Sequence, residues 1–140
     1  NKNRLLEAVQ LSNLKDFIQE RPLKLYTPLG TKGSGISQGQ KQRILLARAI
    51  YKNPDFIFLD EATNSLDTIN EKIISDNLEK IMQGKTAIVI AHRLSTIKNA
   101  HNIIVLEKGK VVEQGSHEEL IEKNGMYLKL VINQLSVANI

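Results

Sequence analysis

Phe56-Ile57-Phe58-Leu59-Asp60-Glu61 sets four apolar residues directly against two acids, and its reading decides the fold. Asn53-Pro54 just before it ends whatever helix precedes, because the residue ahead of a proline is pushed out of the helical region. The run is too short for a helix and carries no polar alternation, so it predicts a buried strand from Asp55 to Asp60. Two carboxylates at the tip of such a strand need something to compensate them.

Working outward, the upstream segment from Gln38 to about Tyr51 predicts a helix with Ile44, Leu45, Ala47 and Ala49 among its packing positions. Ser37 stands where its side chain can cap that helix. Downstream, Asp67 or Thr68 opens a second long helix reaching Met82, and Gly84 stops it. Thr86–Ala91 is again wholly apolar and predicts a second buried strand. A short helix from Ser95, a strand over Asn102–Leu106, a turn at Lys108-Gly109 and a strand over Val111–Gln114 follow. Ser116-His117-Glu118-Glu119 has the capping-box pattern and opens a closing helix or helix pair. Residues 4–20 predict one or two short helices, and Pro22, Pro28, Gly30, Gly33 and Gly35 mark an irregular stretch.

Strands alternating with helices define an α/β fold, with a mostly parallel sheet flanked by helices and ending in an antiparallel hairpin. Chemistry in such sheets collects at the carboxyl ends of the strands. Asp60-Glu61 and His92 stand at two such ends.

Bulk composition narrows the classes. A chain of 140 residues that is 41% hydrophobic and 24% charged suits one soluble globular domain. It has no cysteine, so disulfide frameworks and thiolate metal sites are excluded. The net charge of +4 is scattered, aromatics make up 4%, and there is no tryptophan. Nucleic-acid binding predicts a basic stripe with aromatic partners instead. No apolar run approaches the ~18 residues that cross a bilayer. The start at Asn1, without methionine or signal pattern, suggests a piece of something longer.

Three local patterns carry chemistry, each beside a plainer reading. Asp60 and Glu61 could hold Mg²⁺ and act on a water molecule, or simply end a strand. His92, leading Arg93-Leu94-Ser95-Thr96, could donate to a phosphate, or be a structural hydrogen-bonder. Gly35-Ile36-Ser37-Gln38-Gly39-Gln40 could be an anion site at a helix mouth, or only a capped helix after a glycine-rich turn.

Their order favours the first reading each time. Ser37-Gln38-Gly39-Gln40-Lys41-Gln42-Arg43, Leu59-Asp60-Glu61-Ala62-Thr63, Ser65-Leu66-Asp67 and Ala91-His92-Arg93-Leu94-Ser95-Thr96 resemble the motif series of ABC-transporter ATPase domains. They are similar, in turn, to the signature, the Walker B strand with its catalytic glutamate, the D-loop and the H-loop. Gly109 to Leu120 resembles the hairpin and helix that follow in exporters. Within the family, the chain is most similar to exporter-type half-transporters, including the bacterial peptide and bacteriocin group.

The resemblance implies the C-terminal portion of a phosphate-loop ATPase domain: residues 1–36 as partial helical subdomain and linker, and residues 37–140 as catalytic subdomain. It implies ATP hydrolysis that powers export, with ATP and Mg²⁺ bound. Asp60 would serve Mg²⁺, Glu61 would act on the water, and His92 would contact the γ-phosphate. Ser37, Gly39 and Gln40 would touch ATP held by a second ABC ATPase domain, and Asp67 would lie at the dimer interface. A membrane domain outside this chain is implied as partner, at the cytoplasmic face of a membrane, and no nucleic acid. A non-transport ABC ATPase and a non-catalytic docking fragment are the alternatives.

Two departures stand out. No stretch matches Gly-x-x-x-x-Gly-Lys-[Ser/Thr], the loop that cradles phosphates, so the chain alone is expected to be inactive. The signature reads Ile36-Ser37-Gln38-Gly39-Gln40, with Gln38 where the family usually has glycine.

Overall fold

A computed structural model of the chain describes residues 1–30, 35–60, 66–90 and 94–138. Those residues fall into two units, Asn1–Ile90 and Ala91–Ile140.

The first unit begins with α1 (Lys2–Leu11) and the short α2 (Lys15–Gln19), followed by one 3₁₀ turn at Lys24–Tyr26. The corner between α1 and α2 is closed by the chain itself. Asn13 takes a left-handed φ of 51°, its N–H donates to Gln10 O at 3.1 Å, and the Leu14 N–H donates to Val9 O at 2.9 Å. This is the double-bonded helix stop that glycine or asparagine favours. Ser12, fully buried, donates its hydroxyl to Ala8 O at 2.6 Å.

Next come α3 (Gln38–Lys52), β1 (Phe56–Asp60), α4 (Thr68–Met82) and β2 (Thr86–Ile90). The long helix expected downstream of the acids starts at Thr68 with Asp67 as its cap. β1 and β2 pair in parallel, from Phe56 opposite Thr86 to Asp60 opposite Ile90. Their connection through α4 is the crossover that parallel strands require. Leu46 of α3, Ile57 and Leu59 of β1, and Ile74, Leu78 and Ile81 of α4 form the core, with Ala87 and Val89 packed against it.

The two apolar strands depart from expectation in one respect. Each was expected to be buried on both faces, yet Phe56 and Phe58 are 67% and 70% exposed, and Ile88 and Ile90 50% and 58%. Successive side chains of a strand point to opposite faces. Helices α3 and α4 cover only the face that carries Ile57 and Leu59.

In the second unit, the single-turn α5 (Leu94–Ile97) precedes β3 (Ile103–Glu107) and β4 (Lys110–Gly115), which form an antiparallel hairpin. Lys108 and Gly109 have φ of 49° and 76°, and positive φ at both positions is what a tight two-residue hairpin turn demands. The register shifts between Val105 and Leu106. Among the described residues the strands thus form two separate two-stranded sheets, one parallel and one antiparallel. The closing element is a helix pair, α6 (His117–Glu122) and α7 (Met126–Ala138). Ser116 caps α6 in the expected reciprocal box with Glu119. Ile103, Val105, Leu120, Tyr127 and Val131 make the core of this unit.

Candidate functional site

Asp60 is the last residue of β1 and stands opposite Ile90, the last of β2. The parallel pairing therefore brings two carboxyl strand ends side by side, and Asp60 is exposed at one of them. Glu61 and His92, which follow these ends in sequence, lie outside the described residues. Among the described residues, no group of three His, Cys, Asp or Glu side chains could hold a metal ion. Mg²⁺ in a phosphate site is held by one or two carboxylates plus substrate oxygens and waters, and an exposed carboxylate at a strand end is of that kind. Asp60 fits as such a carboxylate.

The second element is the start of α3. Ser37 is its N-cap, accepting at Oγ from the Gln40 N–H at 3.2 Å. Gln40 reciprocates, its Oε1 accepting from the Ser37 N–H at 2.9 Å. Sequence reading found the cap, but it did not foresee that Gln40 completes the box. Gln38 and Gly39 form the first turn, Gln38 exposed and Gly39 half-buried. Each capping residue retains polar capacity. The Ser37 oxygen accepts a hydrogen bond and keeps its own proton to donate, and the Gln40 amide keeps two N–H donors.

Asp67 is the third element. Its Oδ1 accepts from the Asn70 N–H at 3.0 Å, and its Oδ2 accepts from the Asn70 side-chain amide at 2.5 Å. These bonds, the backbone one first, hold the carboxyl below its usual pKa. Asn70 Oδ1 in turn accepts from Asn13 Nδ2 at 2.8 Å. The Asn13 carbonyl accepts from a terminal N–H of Arg43, on α3, at 2.5 Å. Burial lowers the pKa of Arg43, and the Asp67 charge opposes that shift. Asn13 and Asn70 were not singled out from sequence. The available signal for Asn13 was an asparagine just past the last apolar position of a helix, where a left-handed residue belongs.

The structure thus joins Ser37 to Gln40, and Asp67 through Asn70 and Asn13 to Arg43, and it sets Asp60 at a paired strand end. Helix α3 and strand β1 share one core, since Leu46 packs with Ile57 and Leu59.

Comparison with known proteins bears on the family and the fold. The family model described as ABC transporter matches residues 2–64. Multidrug resistance protein 1 of Entamoeba histolytica is 50% identical over 132 residues, covering 94% of this chain and 10% of that protein. The ATP-dependent lipid A-core flippase of Neisseria meningitidis is 46% identical over 126 residues, covering 90% of this chain and 20% of that protein. Among solved structures, a bacterial Atm1-family ABC exporter with ATP bound superimposes with a TM-score of 0.88 at 36% identity. It covers 96% of this chain, which spans 24% of the exporter.

The fold is the α/β fold of an exporter ATPase domain, present in part. The chain belongs to the ABC transporter family, as a portion of its nucleotide-binding domain. It spans between about a tenth and a quarter of the length of these relatives.

Proposed function

We propose that this chain forms the late part of a nucleotide-binding domain whose parent protein hydrolyses ATP to drive export across a membrane. The observation that carries the reading is Asp60 at the tip of β1, paired in parallel with β2, within the motif order that runs from Ser37 to His92. The likeness to an exporter with ATP bound supports it. Residues 1–36 serve as the end of the helical subdomain, and residues 37–140 as part of the catalytic subdomain. No helix among the described residues is long and apolar enough to cross a membrane. A separate membrane domain supplies the path, and this part works at its cytoplasmic face.

On this reading the chain's residues divide by nucleotide. Asp60 and Glu61 act on ATP held by their own domain, Asp60 as the carboxylate for Mg²⁺ and Glu61 as the base that takes a proton from the attacking water. Asp60 would hold the Mg²⁺, which would supply positive charge to offset the negative charge that develops on the phosphates. His92 donates to the γ-phosphate. Ser37, Gly39 and Gln40 face the nucleotide of a second ABC ATPase domain. There the Ser37 hydroxyl and the Gln40 amide donate to phosphate oxygens while staying bonded to each other. The positive end of α3 adds to the attraction. Asp67 lies between the two domains.

Glu61→Gln in the full-length protein tests the assignment. The amide keeps the shape and removes the base, so hydrolysis falls by about 10²-fold or more. ATP binding persists, and ATP then traps a stacked dimer visible by size-exclusion chromatography. Near-normal turnover in this variant would show that Glu61 is not the catalytic carboxylate.

A further inference from the structure

We propose that Asn13 is a positioning residue, linking the signature helix α3 to Asp67 through hydrogen bonds that run from α3 through the α1–α2 corner to the start of α4. The proposal rests on the reading of Ser37–Gln40 and Asp67 as surfaces that meet a second ATPase domain.

The connection is continuous. Arg43 lies on the helix whose first turn carries Ser37 and Gly39, and it grips the main-chain carbonyl of Asn13. The Asn13 side chain donates to Asn70 Oδ1, which fixes the orientation of the Asn70 amide. With its oxygen turned to Asn13, that amide must present its N–H to Asp67, and it does so. A reversed amide would set its oxygen against the Asp67 carboxylate, acceptor against acceptor. Asn13 and Asp67 thus hold the Asn70 amide from its two ends, its oxygen on Asn13 and its nitrogen on Asp67, so the placement of the corner and the placement of the Asp67 carboxylate are linked through Asn70.

Its location suits transmission. Asn13 occupies the left-handed corner between α1 and α2, and this corner is also tied to the middle of α4, where Asn77 Nδ2 donates to Leu11 O at 3.0 Å. The Asn13–Asn70 pair spans 57 positions of sequence and is partly buried, so water competes for it less than for an exposed pair. A pull on the start of α3 by a bound phosphate reaches the corner through Arg43. From the corner it reaches Asp67 through Asn70. Nothing in this chain of bonds touches the reacting atoms. Its effect is to make the placement of Asp67 depend on the placement of α3.

Asn13→Gly in the full-length protein isolates the side chain. Glycine suits a left-handed helix stop and keeps the carbonyl that Arg43 binds, so folding is preserved and only the amide link is lost. The expected result is a fall in kcat of about fivefold or more, with KM for ATP within about twofold and only a small fall in the unfolding midpoint from the lost hydrogen bond. In an Asp67→Ala background the same substitution should change kcat by less than about twofold, because residues that act as a unit are not additive. Equal effects of Asn13→Gly in both backgrounds, or an unchanged kcat in the otherwise native protein, overturn the proposal while leaving the reading of Asp67 intact. An unchanged kcat in Asp67→Ala itself overturns the reading of Asp67 as an interface residue, and the proposal falls with it.

Discussion

The Glu113 carboxylate occupies the space that a side chain at Gly125 would need. From β4 it reaches the start of α7, where it accepts from the Met126 N–H at 2.5 Å and from the Tyr127 N–H at 2.9 Å. A helix start has unpaired N–H groups and a partial positive charge, and one carboxylate here answers both. Gly125→Ala should push Glu113 off these donors and destabilise the second unit by about 1–2 kcal/mol. In a Glu113→Ala background the same substitution should cost little. Chemical denaturation of the four variants, read as a double-mutant cycle, gives the answer.

Asp67 should make stability sensitive to acid. Its folded-state pKa is depressed by the hydrogen bonds from Asn70. The associated stabilisation is therefore complete above the unfolded-state pKa and is lost as pH falls through the folded one, in the region below about pH 4. Asparagine also caps helices well, so Asp67→Asn should fold at neutral pH. Its denaturation midpoint should decline less steeply than that of the parent between pH 5 and 3, and parallel acid limbs would count against the argument.

Gln38 and Gly39 should respond oppositely to exchange. Gln38 is exposed in the first turn of α3, where glycine costs about 1 kcal/mol of helix stability. Gln38→Gly in the full-length protein should alter turnover by less than about tenfold, under ~1.4 kcal/mol of barrier. Gly39→Gln should be far worse, because its side chain would fill space the partner's nucleotide needs. Turnover at saturating ATP compares the two, and the reverse pattern would mean that the faces of this turn are assigned the wrong way round.

The chain of 140 residues, prepared by itself, should hydrolyse ATP negligibly. It contains no Gly-x-x-x-x-Gly-Lys-[Ser/Thr] run, so neither the backbone cradle nor the lysine for the β- and γ-phosphates is supplied. A phosphate-release assay checks this. Turnover near ~1 s⁻¹, ordinary for an enzyme, would refute it.

What could be read from the sequence was what is local. Ser37, Asp67 and Ser116 each announce a helix start by residue type and spacing, and all three are caps in the structure. Lys108-Gly109 announced a turn on the same grounds. The link from Asn13 to Asn70 has no such signal, since Asn13 can be read as a helix stop but its side-chain bond forms only when the corner meets α4. The open faces of β1 and β2 were missed for another reason. Apolar residues at every position carry no period, so Phe56 and Phe58 look the same as Ile57 and Leu59 until the covering helices are seen on one side only. Glu61 and His92 were legible as motif members, and they lie outside the described residues.

The uncovered side of the β1–β2 pair has a practical consequence for anyone handling the polypeptide. Phe56, Phe58, Ile88 and Ile90 form an apolar patch on a sheet of only two strands among the described residues, a combination that invites self-association. Newly synthesised chains with this pair already formed would be sticky, and molecular chaperones that bind exposed apolar strands would recognise them. Preparations of the isolated segment should accordingly lose monomer with rising concentration. A solubilising carrier protein, or a charged residue in place of Phe58, should slow that loss.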